Sequence, residues 1–233
     1  MSNSRFAIYY LLPPEHQLHT LASHWLGYDI HQGKIIPQAE LLPEYLRLHQ
    51  NQVGAALLYG FHGTLKAPFR LAKHYDVSQL IQELDQFVAE YKAFHCSDLR
   101  LTSLGHFLAL SPEKTCSAMN RLADDCVKHF DPFRAPLSEQ EYQKRKPHQL
   151  NLRQRELLGQ WGYPYVLGEY RFHMTLSAQL EQKKQDELQS ALQDYLAPAL
   201  KNDFHVDRLY LCCQSAQGKN FEVISEHFLK VKI

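Results

Sequence analysis

Phe61-His62-Gly63-Thr64-Leu65 and Phe172-His173-Met174-Thr175-Leu176 are two copies of one pattern, Phe-His-x-Thr-Leu, and one copy lies in each half of the chain. Each copy sits in an aromatic and aliphatic run that predicts a β-strand, over residues 57–65 and 169–177. Successive side chains of a strand point to opposite faces, so the His and Thr of each copy share one face. The Phe and Leu share the other face. The two stretches therefore predict strands that join an apolar core to a polar site.

The segments around the two motifs repeat the order strand, helix, strand. After the first motif, the pattern predicts an amphipathic helix that Asp76 caps, and then two strands over residues 99–110. After the second motif, it predicts a helix over residues 181–196 and strands from residue 206 onward. A connector near residues 131–168 separates the two halves. This organisation indicates a duplicated α+β chain.

Prolines and capping residues predict further element boundaries. A helix is expected over residues 14–26, and Ser111-Pro112 is expected to open another. Ser138 and Glu141 have the spacing of a capping box before a short polar helix. Pro68 is expected to stop the first motif strand, because proline cannot donate to a sheet ladder.

The composition narrows the class of protein. The chain has 233 residues, with 25 basic and 25 acidic side chains and 14 histidines. This length suits one large domain or two small lobes, and zero net charge argues against binding of duplex nucleic acid. No targeting or membrane segment is visible, because the apolar run over residues 6–12 is too short to span a bilayer. Five cysteines without a Cys-x-x-Cys pair are expected to be reduced thiols in a cytoplasmic protein.

One local charge excess stands out in this neutral chain. Between residues 134 and 155 there are six basic side chains and two acidic ones. The basic residues are Arg134, Lys144, Arg145, Lys146, Arg153 and Arg155. Two interpretations remain open: a solvated helical connector, or a basic arm over a phosphate site.

The repeated His/Thr faces predict acid–base chemistry. Histidine has an unperturbed pKa of about 6.5, so it can take up or release a proton near neutral pH. Two such strands facing each other would place one imidazole on each side of a phosphorus atom, with two hydroxyls to hold its oxygens. Such a pair needs no metal, and the prediction is an acid–base pair for in-line displacement.

The paired His-x-Thr motifs resemble the 2H phosphoesterase superfamily, which includes RNA 2′,3′-cyclic phosphodiesterases and ligase-like enzymes. The sequence around and beyond the motifs is similar to a subfamily described as phosphonate-metabolism proteins. The likeness covers nearly the whole chain. The stretches that carry it are Arg5-Phe-Ala-Ile-Tyr-Tyr10, residues 60–72, Phe133-Arg-Ala-Pro136, Trp161-Gly-Tyr-Pro-Tyr165 and Arg171-Phe-His-Met-Thr-Leu176.

The resemblance implies one bilobal α+β domain over residues 1–233, with pseudo-twofold symmetry. Two small antiparallel sheets would flank a central cleft, with helices outside. One lobe would hold about residues 1–130 plus C-terminal pieces, and the other about residues 169–233.

The resemblance also implies roles for the motif residues. His62 and His173 would be the acid–base pair, and Thr64 and Thr175 would donate to phosphate oxygens. Sequence alone does not fix the two roles, because titrations coupled through one phosphate belong to the pair. The working assignment makes His173 the base that activates water, and His62 the acid that protonates the leaving oxygen.

Nearby cations are candidates for charge-assisted contacts to the phosphate. Lys66 and Arg171 share strand parity with the motif residues, and Arg70 and Arg134 are the next candidates. The alternative for Lys66 and Arg70 is an ordinary exposed charge, since the two residues flank Pro68, where strand parity is not assured.

The expected function is hydrolysis of a cyclic phosphate ester by a metal-independent phosphodiesterase without a cofactor. The substrate would be a 2′,3′-cyclic nucleotide or a 1,2-cyclic sugar phosphate, with an intermediate of phosphonate breakdown as one candidate. The alternative is a protein that binds a phosphorylated ligand or an RNA end without turnover. A third, weaker reading is a di-histidine metal hydrolase. The expected protein is a monomer that binds a small phosphorylated substrate and no membrane.

Two further readings are set aside on the sequence. His16, His19 and His24 lie close together in sequence, but they lack a metal-site framework and are expected at the surface and not as metal ligands. The chain contains no dinucleotide-binding, P-loop or serine-hydrolase motif.

Overall fold

The computed structural model describes residues 4–37, 53–200 and 204–230, which form seven helices and eleven strands. The helices are α1 (Gln17–Leu26), α2 (Ala56–Tyr59), α3 (Val77–Val88), α4 (Ser117–His129), α5 (Glu139–Lys144), α6 (Leu152–Trp161) and α7 (Gln182–Leu196). The strands are β1 (Arg5–Tyr10), β2 (Tyr28–Asp29), β3 (Lys34–Ile35), β4 (Gly63–Phe69), β5 (Phe94–Cys96), β6 (Leu99–Leu104), β7 (Phe107–Pro112), β8 (Met174–Thr175), β9 (Phe204–Val206), β10 (Arg208–Gln214) and β11 (Glu222–Phe228).

Seven of these strands form one antiparallel sheet, in the order β11-β10-β1-β4-β8-β7-β6. The predicted α+β class is therefore confirmed. The two motif strands, β4 and β8, are neighbours and are joined through a single residue pair, Gly63 with Met174. The two small sheets expected from the sequence are thus two halves of one sheet that meet at this pair.

Each half of the sheet combines strands from both parts of the chain. β6 and β7 belong to residues 1–130, yet they continue the sheet beyond β8 of the second motif. β10 and β11 come from the C-terminal part, yet they continue it beyond β1. Antiparallel strands pair so that their side-chain faces match, and the long connections here allow strands from both parts of the chain to pair in one sheet.

The first strand shows why the N-terminal run is apolar on both sides. Ile8 and Tyr10 belong to the main core, which α1, α3, α4 and α7 cover. Ala7 and Tyr9 belong to a second apolar cluster, which also contains Phe221. Because β1 lies in the middle of the sheet with both faces buried, its sequence is continuously apolar instead of alternating.

The predicted motif strands differ from the observed ones at their ends. Residues 57–59 lie in helix α2, and the strand begins at Gly63. The second motif contributes only the two residues of β8. β4 continues through Pro68 to Phe69. The register between β4 and β1 shifts at this point, so the sheet does not require a backbone N–H from the proline.

The capping signals locate two helices correctly and the proline signal misplaces a third. Both expected capping boxes are present, Asp76 with Gln79 and Ser138 with Glu141. The helix expected after Ser111-Pro112 begins only at Ser117, because β7 extends to Pro112 as the partner of Leu99 in β6.

The cysteine prediction is wrong for one pair. Cys96 and Cys116 are joined by a disulfide, with their Cα atoms 5.5 Å apart. Cys96 lies in β5 and Cys116 caps α4, so two segments distant in sequence bring the thiols together. Cys126, Cys212 and Cys213 are free thiols.

In the described ranges, no helix combines the length and apolar composition that crossing a bilayer would require.

Replacement of Asp76 by alanine tests the start of α3. The Asp76 carboxylate accepts the backbone N–H of Gln79, and the Gln79 side chain accepts the backbone N–H of Asp76. Asp76→Ala is expected to lower the free energy of unfolding by about 1 kcal/mol, measured by urea denaturation. Ser78→Ala, an exposed change in the same turn, is the control and should alter it by less than about 0.5 kcal/mol. Equal effects of the two variants would contradict a stabilising cap.

Candidate active site

The two motifs cross at their central residues. Gly63 and Met174 are the variable positions of the two His-x-Thr patterns, and they form the one register pair between β4 and β8. His62 and His173 lie just before β4 and β8, and we infer by continuing the antiparallel pattern that His62 lies opposite Thr175 and Thr64 opposite His173, on one face. The two histidines are then diagonal neighbours, with Cα atoms about 7–8 Å apart. A twofold relation between the motifs follows from this single pair.

Both motif histidines are oriented in the same way. Nδ1 of His62 lies 2.9 Å from the carbonyl oxygen of Gly60, and Nδ1 of His173 lies 2.8 Å from that of Arg171. A carbonyl oxygen only accepts, so Nδ1 of each neutral imidazole donates and Nε2 carries the lone pair. The Nε2 atom of His62 lies 3.0 Å from the Thr64 hydroxyl, which donates to it. Each motif therefore presents a basic Nε2.

A glycine makes the His62 contact possible. Gly60 ends α2 with φ of 68°, a left-handed value that favours glycine. A Cβ at this position would also approach the Ile30 Cβ to 2.7 Å. This turn brings the Gly60 carbonyl oxygen within hydrogen-bond distance of Nδ1 of His62.

Burial keeps both imidazoles neutral. His62 is 8% exposed and stacks on the Tyr9 ring, with centroids 3.9 Å apart. Desolvation lowers its pKa to about 4, although the Gly60 hydrogen bond opposes this shift, and the charge of protonated His173 lowers it further. Desolvation also lowers the pKa of His173, against the bond to the Arg171 carbonyl. At pH 7 the resting site therefore holds two neutral imidazoles.

Phe172 of the second motif, and Tyr170 two residues before it, hold the first motif beside the second. The Tyr170 hydroxyl donates to the Thr64 carbonyl at 2.9 Å. The Phe172 ring lies over Gly63, where a Cβ would collide with it. The first motif therefore has glycine at its central position because the second motif's phenylalanine occupies the space of a side chain.

Lys66 does not share the face of the motif residues. Thr64 pairs with Tyr9 and Lys66 pairs with Ile8, so a register shift between these pairs rotates Lys66 to the other face. Its buried ammonium donates to the Val127 carbonyl at 2.9 Å and lies 3.9 Å from the Asp131 carboxylate. The parity prediction for Lys66 is therefore wrong. Desolvation lowers the pKa of Lys66 to about 8.

The three predicted arginines have different surroundings. Arg70 forms a two-pronged ion pair with Glu141, at 2.9 and 2.8 Å, and Arg134 pairs with Asp131 at 2.8 Å. Arg171 is exposed beside His173, and its side chain has no ion pair or hydrogen bond with the residues that the structure describes. Of the four predicted cations, Arg171 alone lies just before a motif strand and has no ion pair with a described residue.

Lys66, Arg70 and Arg134 instead meet around a separate cavity of about 600 Å³. Neither motif histidine lines it. Tyr59 does, and its ring centroid lies 6.1 Å from that of His62. Three of the four predicted cations are thus brought together, but beside the histidine pair and not on it.

The N-terminal histidines have structural contacts. His16 caps α1 by accepting the Leu18 N–H at 3.1 Å. His19 is 2% exposed and lies 3.4 Å from the Asp29 carboxylate, so its predicted surface position is wrong. Among the described residues, no three or more His, Cys, Asp and Glu side chains are grouped so that they could hold a metal ion.

The sequence interpretation missed the tyrosines of the site. Tyr9 stacks under His62, Tyr59 lies beside it, and Tyr170 binds the backbone of the other motif. Only Tyr170 gave a usable signal: a tyrosine on the core side of a strand needs a partner for its hydroxyl. The position of Tyr9 depends on the register between β1 and β4, which the sequence does not specify.

Residues 64–222 match the family model described as "Protein of unknown function (DUF1045)", so the chain belongs to this family. It is 35% identical over 225 residues to "Ribose 1,5-bisphosphate phosphokinase PhnN" of Janthinobacterium sp. (strain Marseille), covering 94% of this chain and 49% of that protein. A protein of the same name from Laribacter hongkongensis (strain HLHK9) is 32% identical over 179 residues, covering 76% of this chain and 41% of that protein. The chain spans about half the length of the curated relatives it matches.

Matches among solved structures include E. coli LigT complexed with NADP+ (TM-score 0.46, 11% identity, 99% of each chain covered). A conserved protein of unknown function, ATU0111 from Agrobacterium tumefaciens, matches with a TM-score of 0.43 and 11% identity, over 96% of this chain and 85% of that one.

Gly63→Ala tests the contact between the motifs. The new methyl group would overlap the Phe172 ring, so the free energy of unfolding is expected to fall by about 1–3 kcal/mol in chemical denaturation. Gly159→Ala is the matched control, because a Cβ there meets nothing within 4 Å; it should be neutral or stabilise α6 by about 0.5–1 kcal/mol. If the overlap is the cause, Phe172→Leu should recover part of the Gly63→Ala loss. Strict additivity of these two changes would contradict the contact.

The burial of His62 predicts a pH dependence of stability. Its pKa is about 6.5 unfolded and about 4 folded, so the unfolded chain binds the proton more readily. The free energy of unfolding is therefore unaffected by this histidine well above pH 6.5, and it falls by about 3 kcal/mol as the pH drops toward 4. Denaturation of wild type and His62→Gln between pH 7.5 and 4 should show the difference between them shrinking by this order. A difference independent of pH would refute a buried, neutral His62.

Proposed function

We propose that this protein is a metal-independent phosphodiesterase that hydrolyses a cyclic phosphate ester. The observation that carries the proposal is the symmetric orientation of His62 and His173, each with Nδ1 bound to a carbonyl and Nε2 basic. The resemblance of the two His-x-Thr motifs to 2H phosphoesterases supports the same reaction class. A 2′,3′-cyclic nucleotide and a 1,2-cyclic sugar phosphate are both candidate substrates.

In this mechanism the cyclic phosphate lies between the two imidazoles. Nε2 of one histidine removes a proton from water while the water oxygen attacks phosphorus. The bond from phosphorus to one ring ester oxygen breaks, and that oxygen receives a proton from Nε2 of the other histidine. One water is added across the P–O bond, and the product is a phosphate monoester with a free hydroxyl.

The burial of His62 favours a change in the working assignment of roles. Its pKa of about 4 makes it the neutral partner over the whole neutral range, which suits the base. We therefore assign the base to His62 and the acid to His173. Exposed Arg171 lies beside His173, and a bound phosphate anion would raise the pKa of the His173 imidazole.

Thr64 and Thr175 would hold the phosphate oxygens. In the resting site the Thr64 hydroxyl donates to Nε2 of His62 at 3.0 Å. When a phosphate is bound, the hydroxyl can rotate to an equatorial oxygen and leave Nε2 free for water. Thr175 lies diagonally opposite on the same face, so the motif register supplies one such donor from each strand.

The relatives favour a phosphorylated sugar as the substrate class. Their printed name refers to ribose 1,5-bisphosphate, and this chain covers about half of each. Their named kinase activity is not proposed for this chain, which contains no Gly-x-x-x-x-Gly-Lys-Ser/Thr stretch. A role beside the use of such sugar phosphates, for example in phosphonate breakdown, is consistent with a cyclic phosphate substrate.

Alanine variants of the motif histidines test the proposal. A panel of 2′,3′-cyclic nucleotides and 1,2-cyclic sugar phosphates is incubated with wild type, His62→Ala and His173→Ala, and product is followed by ³¹P NMR. Each variant is expected to lower kcat at least about a hundredfold, because proton transfer is lost, and a chelator should change nothing. His106→Ala, an exposed histidine outside the site, is the control and should retain full activity.

Two results would overturn the proposal. Full activity of both alanine variants would place the chemistry elsewhere. Tight binding of the panel compounds without turnover by wild type would favour the alternative function, a protein that holds a phosphorylated ligand or an RNA end.

A further inference from the structure

The cavity beside the histidine pair has a strongly basic wall. It is about 600 Å³ in volume and contains one carboxylate, Glu141. The cations that line it are Arg5, Lys66, Arg70, Arg134, Lys144 and Arg145. The segment with excess positive charge, residues 134–155, supplies three of these side chains, so its charge is directed into a cavity.

Several of these cations lack a carboxylate partner. Arg70 is paired with Glu141 and Arg134 with Asp131. Within the described ranges, Arg5, Lys144 and Arg145 form no ion pair. A chain of zero net charge thus brings three cations without an ion pair to the wall of one cavity, an arrangement that attracts an anion.

Arg145 is held in place without its charge being neutralised. Its guanidinium carbon lies 4.9 Å from the centre of the Tyr163 ring. Such a contact fixes the plane of the guanidinium and leaves its N–H groups available for hydrogen bonds. The Tyr163 ring also lines the cavity, so Arg145 is pre-oriented on its wall.

The cavity adjoins the histidine pair. Tyr59 lines the cavity, and the ring of His62 lies 6.1 Å from the Tyr59 ring. Tyr9 stacks on His62 at 3.9 Å, with Arg5, Tyr59 and Tyr163 near enough to influence its hydroxyl. Tyr59 therefore borders both the cavity and the His62 ring, which places the cavity next to the histidine pair.

We propose that this cavity binds a second, distal phosphate group of the substrate while the cyclic phosphate lies between His62 and His173. The inference rests on the proposed function and narrows its substrate class to a sugar that carries a cyclic phosphate and a phosphate monoester. Arginine forks suit the oxygens of a phosphate dianion, and Arg145 is the principal contact. The basic segment is therefore a substrate-binding arm and not a solvated connector.

Binding of inorganic phosphate tests the cavity without turnover. Titration calorimetry uses His173→Ala, so that hydrolysis does not enter the measurement. In this background Arg145→Gln is expected to weaken phosphate binding about tenfold, because charge-assisted hydrogen bonds are lost. Arg155→Gln removes the same charge from the same segment but does not line the cavity, and it should alter Kd less than about twofold in 0.15 M salt. Thermal denaturation verifies that all variants are folded.

Equal phosphate affinities in the Arg145→Gln and Arg155→Gln proteins would overturn the inference. This result is independent of whether any cyclic phosphate is hydrolysed, so failure of the cavity and failure of the proposed reaction are distinguishable.

A second arm decides whether the bound phosphate belongs to the substrate. Wild type is assayed with a 2′,3′-cyclic nucleotide and with the same nucleotide carrying a 5′-phosphate. The 5′-phosphate is expected to raise kcat/KM at least about tenfold, and Arg145→Gln should remove most of this preference through KM. Loss of phosphate binding in Arg145→Gln without any substrate preference in wild type would mean that a separate anion occupies the cavity, and would overturn the substrate assignment.

Discussion

The contact of Gly63 with the second motif is the constraint on which the site depends. Gly63 and Met174 form the only register pair between β4 and β8 in the described sheet, and the Phe172 ring fills the space above the glycine. The pair sits at the centre of both His-x-Thr patterns, so it brings two histidines and two threonines onto one face. A shift of one residue would send one pair of polar side chains into the core.

Burial around this crossing determines the chemistry of the two imidazoles. The carbonyl oxygens of Gly60 and Arg171 fix the proton on Nδ1, and desolvation holds both rings neutral. Below pH 6.5 the free energy of unfolding decreases, because the unfolded chain takes up a proton on the histidine more readily than the folded protein does. The same burial that weakens the protein in acid therefore supplies a base at neutral pH.

The sequence predicted the features that depend on local signals and missed those that depend on pairing. The repeated motif, the capping boxes at Asp76 and Ser138 and the α+β class could be read from residue patterns. The orientation of Lys66 could not, because a register shift within β4 is set by its partner strand. Likewise, the ion pair of Arg70 with Glu141 could not be predicted, because the two residues are distant in sequence. Strand parity is reliable only within an uninterrupted ladder.

The central claim, that both motif histidines act on one phosphate, is tested most directly by histidine-selective NMR. Protein labelled at the imidazole Cε1 is titrated with inorganic phosphate, and the two resonances are assigned with His62→Gln and His173→Gln. The account predicts that the His62 and His173 signals shift together with one Kd and that both pKa values rise in the bound state, because a phosphate anion favours the protonated rings. A shift confined to one histidine, or two shifts with different Kd values, would contradict a shared site.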